Sequence, residues 1–170
     1  MIKLHTPISD KDISTLHVGE KVLLSGTIYT ARDQAHIRLV KEKDPLFEFS
    51  GSVVYYVGPT PSKEGIAIGA SGPTSSYRMD PFSPQLMERG LKVMIGKGNR
   101  SEEFRQAMIK NHGVYLIATG GAGALLSNCI VSSKVIMYED LGAEAIRRLE
   151  VIDFPCFVAY DVYGNDIFKR

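Results

Sequence analysis

Only two of the 170 residues are cysteine, Cys129 and Cys156, and they stand 27 positions apart inside apolar runs. That spacing matches neither a zinc site nor a cysteine-rich cluster motif, and it fits two buried, reduced thiols. The four histidines, His5, His17, His36 and His112, form no HxxH or HExxH pair, so no metal site is expected in this chain. An excess of charge is missing as well. Twenty basic residues face nineteen acidic ones, a net charge of +1, which argues against general attraction to nucleic acid or to an anionic membrane. Any positive site has to be local. No run of about 18 apolar residues occurs, and the N-terminal "MIKLHTPISDKDI" lacks the apolar centre of a signal peptide, so the expected compartment is the cytoplasm.

What is present has an ordinary globular balance, 44% apolar and 23% charged, and the length suits one domain over residues 1–170 that folds without disulfides. "EKVLLSGTIYTARDQAHIRLVKEKD" begins as an apolar strand and passes through Gly26 into a segment where Ala31, Ala35 and Leu39 recur at helical spacing. "GSVVYYVGPTP" is a strand entering a loop, and "GIAIG" is a shorter one. "SPQLMERG" and "SEEFRQAMIKNHG" are helices with serine at the start and glycine past the end, flanking the strand "LKVMIG". "VYLIATGGAGALL" runs from strand into glycines and a helix start, and "SKVIMYEDLGAEAIRRLEV" reads as another strand followed by a helix. The tail forms a hairpin around "YGND". Strands alternating with helices predict an α/β domain with a largely parallel central sheet.

In such a domain ligands gather at the C-terminal ends of the strands. Four segments end strands with unusual chemistry, "TIYTARD", "GPTSSYRMD", "IGKGN" and "TGGAGA", and together they offer Arg32, Arg78 and Lys97 beside many hydroxyl and backbone donors. That set suits a small anion. Each segment alone has a plainer explanation, as a local ion pair, a turn or close helix packing. Nucleotide motifs fail on spacing: Leu126 stands where Gly121 and Gly123 would need their third glycine. Leu91 and Gly98 stand where a P-loop around Gly96-Lys97 needs glycine and Ser or Thr.

Jointly, "LLSGTIYTARDQAH", "YYVGPTP", "IGASGPTSSYRMD", "IGKGN", "TGGAGALL", "EDLGAEAI" and "DFPCFVAYDVYGND" resemble the β subunit, or C-terminal domain, of iron-sulfur class I fumarases and L-tartrate dehydratases. The resemblance runs from about Gly19 to Asp166. It implies a swivelling β/β/α domain that forms one wall of an active site. The other wall is an α subunit carrying a [4Fe-4S] cluster on three cysteines, whose fourth iron binds the substrate's hydroxyl and a carboxylate. A chain with two cysteines could not hold that cluster itself. The resemblance further implies a heterotetramer of two αβ pairs and a dicarboxylate substrate, fumarate and malate or tartrate.

Such hydro-lyase chemistry takes a proton from carbon beside a carboxylate, and the charge gathering on that carboxylate must meet donors placed in advance. Arg32 and Arg78 suit this by bidentate hydrogen bonding, with Lys97 as a third charge. By resemblance Thr74 is the proton acceptor, four residues before the arginine of the motif, or else a binding group. Asp33 and His36 are read as supports for Arg32 and the subunit contact rather than as chemical groups. The competing expectation is a non-catalytic small-anion-binding or scaffold domain of the same fold.

Overall fold

The computed structural model describes residues 1–59, 69, 72–118 and 126–169. The strand expected over residues 65–68 and the glycine turn over 119–124 lie outside them. The chain builds β1 (Ile2–His5), α1 (Asp10–Ser14), β2 (Lys21–Thr30), α2 (Asp33–Leu39), β3 (Val53–Tyr55), a 3-10 turn (Ser76–Met79) and α3 (Ser83–Glu88). Then come β4 (Val93–Gly96), α4 (Glu102–Lys110), β5 (Val114–Ile117), β6 (Ile130–Met137), a second 3-10 turn (Glu139–Glu144) and β7 (Ile146–Tyr160).

Strand order is β1-β2-β3-β4-β5-β7-β6. β1 through β5 pair in parallel, whereas β7 runs antiparallel to β2, β5 and β6. Because β7 reaches both β5 and β2, the pairing path through β3 and β4 returns on itself. Two core layers result, and the short parallel strands separate them. Val53, Tyr55, Val93, Ile95, Val114 and Leu116 face one cluster with Val22, Phe154 and Cys156. Their neighbours Val54, Tyr56, Met94 and Tyr115 face the other, with Leu39, Leu86 and Phe104 from the helices. This is why these strands read as unbroken apolar runs: both faces are buried. The β/β/α layering and the largely parallel central sheet agree with the sequence-based expectation.

Two element boundaries differ from it. β2 does not stop at Gly26 but passes through it with a register irregularity between Leu24 and Gly26 and continues to Thr30, so α2 starts only at Asp33. The helix expected in "LGAEAIRRLEV" is instead the second 3-10 turn followed by β7. Ile146 packs in the helix-side layer and Leu149 in the sheet-side layer. Three residues apart in a strand they point to opposite faces, a pattern that imitates helical spacing when both faces are buried. Gly142, at φ 59° and ψ −119°, breaks any helix before it reaches Ala145. The C-terminal turn forms as expected, with Tyr160 bridged to Asp166 and the buried Asp161 accepting from the Val18, Tyr163 and Asn165 amides.

Candidate functional site

The candidate residues collect where β2, β3 and β4 end. After β3, the Thr74 N–H donates to the Tyr56 carbonyl at 2.7 Å, and Ser75 forms a parallel bridge with Lys97. The segment that carries Thr74 therefore lies between the ends of β3 and β4. Ser76 continues the link, donating its N–H to the Lys97 carbonyl at 3.0 Å while its Oγ accepts from the Lys97 N–H at 2.9 Å. Only glycine at 96 permits this, because a Cβ there would sit 1.8 Å from Ser76 Oγ and 2.8 Å from the Tyr56 ring. Lys97 is exposed, and neither its ammonium nor the Thr74 hydroxyl has a partner among the described residues.

Arg32 precedes the first turn of α2 and lies along the backbone after β3. A Cβ at Gly58 would come within 2.9 Å of its Cδ and 3.1 Å of its Nη1, so glycine there makes the room. Its Nε is 4.0 Å from both Asp33 Oδ1 and Glu144 Oε1 and has no hydrogen-bond partner among the described residues. Arg78 donates from Nε to Asp33 Oδ2 at 2.8 Å. One carboxylate thus stands between the two guanidinium groups. Anchoring through Nε leaves Nη1 and Nη2 of Arg78 without a bond to any described residue, and these two nitrogens form the edge that grips a carboxylate end-on. Tyr77, beside it, is 65% exposed.

His36 supports the same corner from inside. Its Nδ1 lies 2.8 Å from the Arg32 carbonyl; a carbonyl only accepts, so Nδ1 carries the proton and Nε2 is bare. The ring packs against Tyr56 and Phe82 with no exposure. Burial pushes its pKa down to about 4, only partly opposed by the Arg32 carbonyl. The imidazole is therefore neutral at neutral pH and is no proton donor to a ligand there. Above about pH 6.5 neither folded nor unfolded chain binds this proton. Between about 6.5 and 4 the unfolded chain binds it and the folded chain does not, so stability falls as pH falls through that window, by on the order of 3 kcal/mol, and levels off below it. The His36 ring resonances should accordingly stay constant from about pH 8 to 5.5; a midpoint above about 6 would show that the ring reaches water.

The structure thus brings Arg32, Asp33, His36, Thr74, Arg78 and Lys97 to one end of the sheet. The sequence reading missed Ser76, Asp80, Arg100 and Glu144. Asp80 and Arg100 follow Arg78 and Lys97 by two and three positions, a pair of opposite charges flanking two motifs that could have been matched. Glu144 gave no local signal, since it reaches the start of α2, accepting from the Gln34 N–H at 3.2 Å, from 110 residues away.

A cavity of about 420 Å³ lies elsewhere, against β2 and β7, lined by His5, Thr6, Thr27, Tyr29, Arg148 and Glu150 among others. None of the six candidate residues lines it. Its Glu150 accepts from the Thr27 hydroxyl at 2.8 and 2.9 Å.

Among the described residues no three His, Cys, Asp or Glu side chains converge as metal ligands, and no helix is long and apolar enough to cross a membrane. Cys156 is fully buried, with its thiol pKa raised by burial, and Cys129 is held near the Asp153 carbonyl at 3.8 Å. Neither thiol fits a cluster.

Residues 1–170 match the family model described as Fumarase C-terminus. The chain is 38% identical over 178 residues to "Fumarate hydratase 1, mitochondrial" of Leishmania major, a match covering 100% of this chain and 32% of that protein. It is 37% identical over 178 residues to "Fumarate hydratase class I, aerobic" of Escherichia coli, covering 99% of this chain and 32% of that one. It is also 35% identical over 174 residues to "Putative L(+)-tartrate dehydratase subunit beta" of Methanocaldococcus jannaschii, covering 96% of this chain and 89% of that one. The chain spans about a third of the length of the fumarate hydratases it matches and most of the tartrate dehydratase subunit. With its whole length matched, the chain belongs to the Fumarase C-terminus family.

Proposed function

We propose that residues 1–170 act as one β-subunit domain of a two-part hydro-lyase that hydrates fumarate to malate reversibly or dehydrates tartrate. The observation that carries this reading is the Arg78 guanidinium, oriented through Nε by Asp33 with both Nη groups unengaged. Arg32, Arg78 and Lys97 bind the dicarboxylate, and Thr74 lies on the segment between the ends of β3 and β4. In the dehydration direction, the C–H bond beside a carboxylate breaks. Its proton passes to Thr74 Oγ1 and its electron pair moves toward that carboxylate, where the arginine fork meets the charge. A threonine oxygen serves only if a neighbouring cation stabilises its alkoxide, the part given to Lys97 and Arg78. The cleft would be completed by a partner, an α subunit in an assembly of two αβ pairs, whose [4Fe-4S] cluster would supply a Lewis acid for the leaving hydroxide, with a proton from solvent making it water. The open strand-end site suits one wall of a shared cleft.

The purified chain should be colourless and without hydratase activity, and activity should appear on anaerobic mixing with a cluster-loaded α partner. Cys129→Ser and Cys156→Ala should leave that activity largely intact, since neither thiol is a ligand. Iron-sulfur absorbance in the chain alone, or an inactive complex with both fumarate and tartrate, would refute the reading.

A further inference from the structure

Three residues beyond Lys97, Arg100 is a charged side chain with 0% exposure. Its guanidinium carbon lies 3.5 Å from the Phe104 ring centroid, 4.9 Å from that of Tyr115 and 5.1 Å from that of Tyr56. Nε donates to Asp80 Oδ1 at 2.5 Å and Nη2 to Ser83 Oγ at 3.2 Å. The other oxygen of Asp80 accepts from the Ser101 N–H at 2.7 Å. The Arg100 N–H is itself held by the Tyr160 hydroxyl at 2.7 Å.

Stability is a poor account of this arrangement. Removing a guanidinium and a carboxylate from water is costly, and a buried pair does no better than well-packed apolar residues of the same volume. What apolar residues cannot do is fix position and angle together. Asp80 is two residues past Arg78, so its two oxygens tie the end of the Arg78 turn to both Arg100 and Ser101, just past Lys97. On the other side of Arg78, Ser76 is tied to Lys97 by two bonds, and the Tyr115 hydroxyl lies 2.8 Å from both Ser76 Oγ and the Gly98 carbonyl. The segment bearing Arg78 is therefore fastened to the segment bearing Lys97 on both sides. The faces of Phe104, Tyr115 and Tyr56 hold the guanidinium plane, which an ammonium could not match.

We propose that Arg100, acting through Asp80, is a positioning residue: a buried clasp that sets the spacing of the Thr74 to Arg78 segment against Lys97. Its effect on catalysis rests on the hydro-lyase reading; its effect on the two segments does not. The test uses Arg100→Met and Arg100→Lys, with Leu16→Ala as a control, since Leu16 is fully buried in the other core layer. Amide hydrogen exchange of the chain should show Ser76, Lys97 and Ser101 exchanging at least tenfold faster in Arg100→Met, with Leu24 in β2 unchanged. Arg100→Lys should fall between it and the parent, and Leu16→Ala should leave those three amides protected. In the complex with the α partner, kcat/KM should fall at least 30-fold in Arg100→Met, while Leu16→Ala keeps more than half. Unchanged exchange at the three amides, or a control matching Arg100→Met in both readouts, would overturn the clasp. If Arg100→Met does not fold, Arg100→Lys decides by the same measurements. An inactive parent complex would remove the hydro-lyase reading and leave the exchange data to judge the clasp.

Discussion

Arg78→Lys should lower kcat/KM of the reconstituted complex by on the order of 100-fold, about 3 kcal/mol, the scale for losing one preorganised donor to developing charge. Positive charge is kept, so the loss measures geometry. In the parent, Asp33 Oδ2 takes Nε at 2.8 Å and leaves two parallel Nη donors for substrate. A lysine ammonium drawn to Asp33 has no second, planar edge to offer, and one turned toward substrate leaves Asp33 unpaired beside it. Folding should barely notice, because Arg78 is 45% exposed and an ion pair of that kind contributes at most about 1 kcal/mol. Steady-state kinetics together with a thermal melt of the isolated chain separate the two effects. A change below threefold in kcat/KM would show that Arg78 does not face the substrate. Arg32→Lys should behave alike in kinetics, since Arg32 packs against Gly58 and its Nε makes no hydrogen bond to any described residue.

The gathering of these candidate residues at one end of the sheet was legible because local signals and global topology agreed there. Parallel strands buried on both faces left apolar runs that ended sharply in glycine, hydroxyl and cationic residues. Ser101, whose side chain accepts from the Phe104 N–H, marked the start of α4 as plainly as any N-cap does. Other features were hidden for physical reasons. "AEAIRRLE" has good intrinsic helix formers, and its strand identity comes from pairing with β2 and β6, which no local preference reports. Phe82 and not Ser83 precedes the first turn of α3, because the Ser83 hydroxyl is committed to the Met79 carbonyl and the Tyr56 hydroxyl inside the core. The arginine chosen by motif position, Arg78, pairs with Asp33 across 45 residues of sequence. Spacing along the chain could nominate both and could not pair them.

Thr74→Val separates proton transfer from binding at the strand-end site, because it removes the hydroxyl and nearly keeps the shape. The backbone tie is indifferent to the change: the Thr74 N–H to the Tyr56 carbonyl, at 2.7 Å, survives, and the side chain is only half-buried, so the segment should stay in place. If Thr74 Oγ1 takes the proton, kcat in the complex should fall 100-fold or more, the usual scale for a general base. A dicarboxylate inhibitor should meanwhile bind with nearly unchanged affinity through Arg32, Arg78 and Lys97. Thr74→Ser should recover part of the rate, since the hydroxyl returns without the methyl group that restricts its rotamer. If the hydroxyl only binds substrate, Thr74→Val should instead raise KM and weaken the inhibitor with kcat little altered, as when binding common to ground and transition states is lost. Retention of more than about a tenth of kcat in Thr74→Val removes Thr74 as the base, because general bases contribute about 100-fold or more. On the two-part reading proposed above, the base would then belong to the partner's side of the cleft, with the arginine fork on this one.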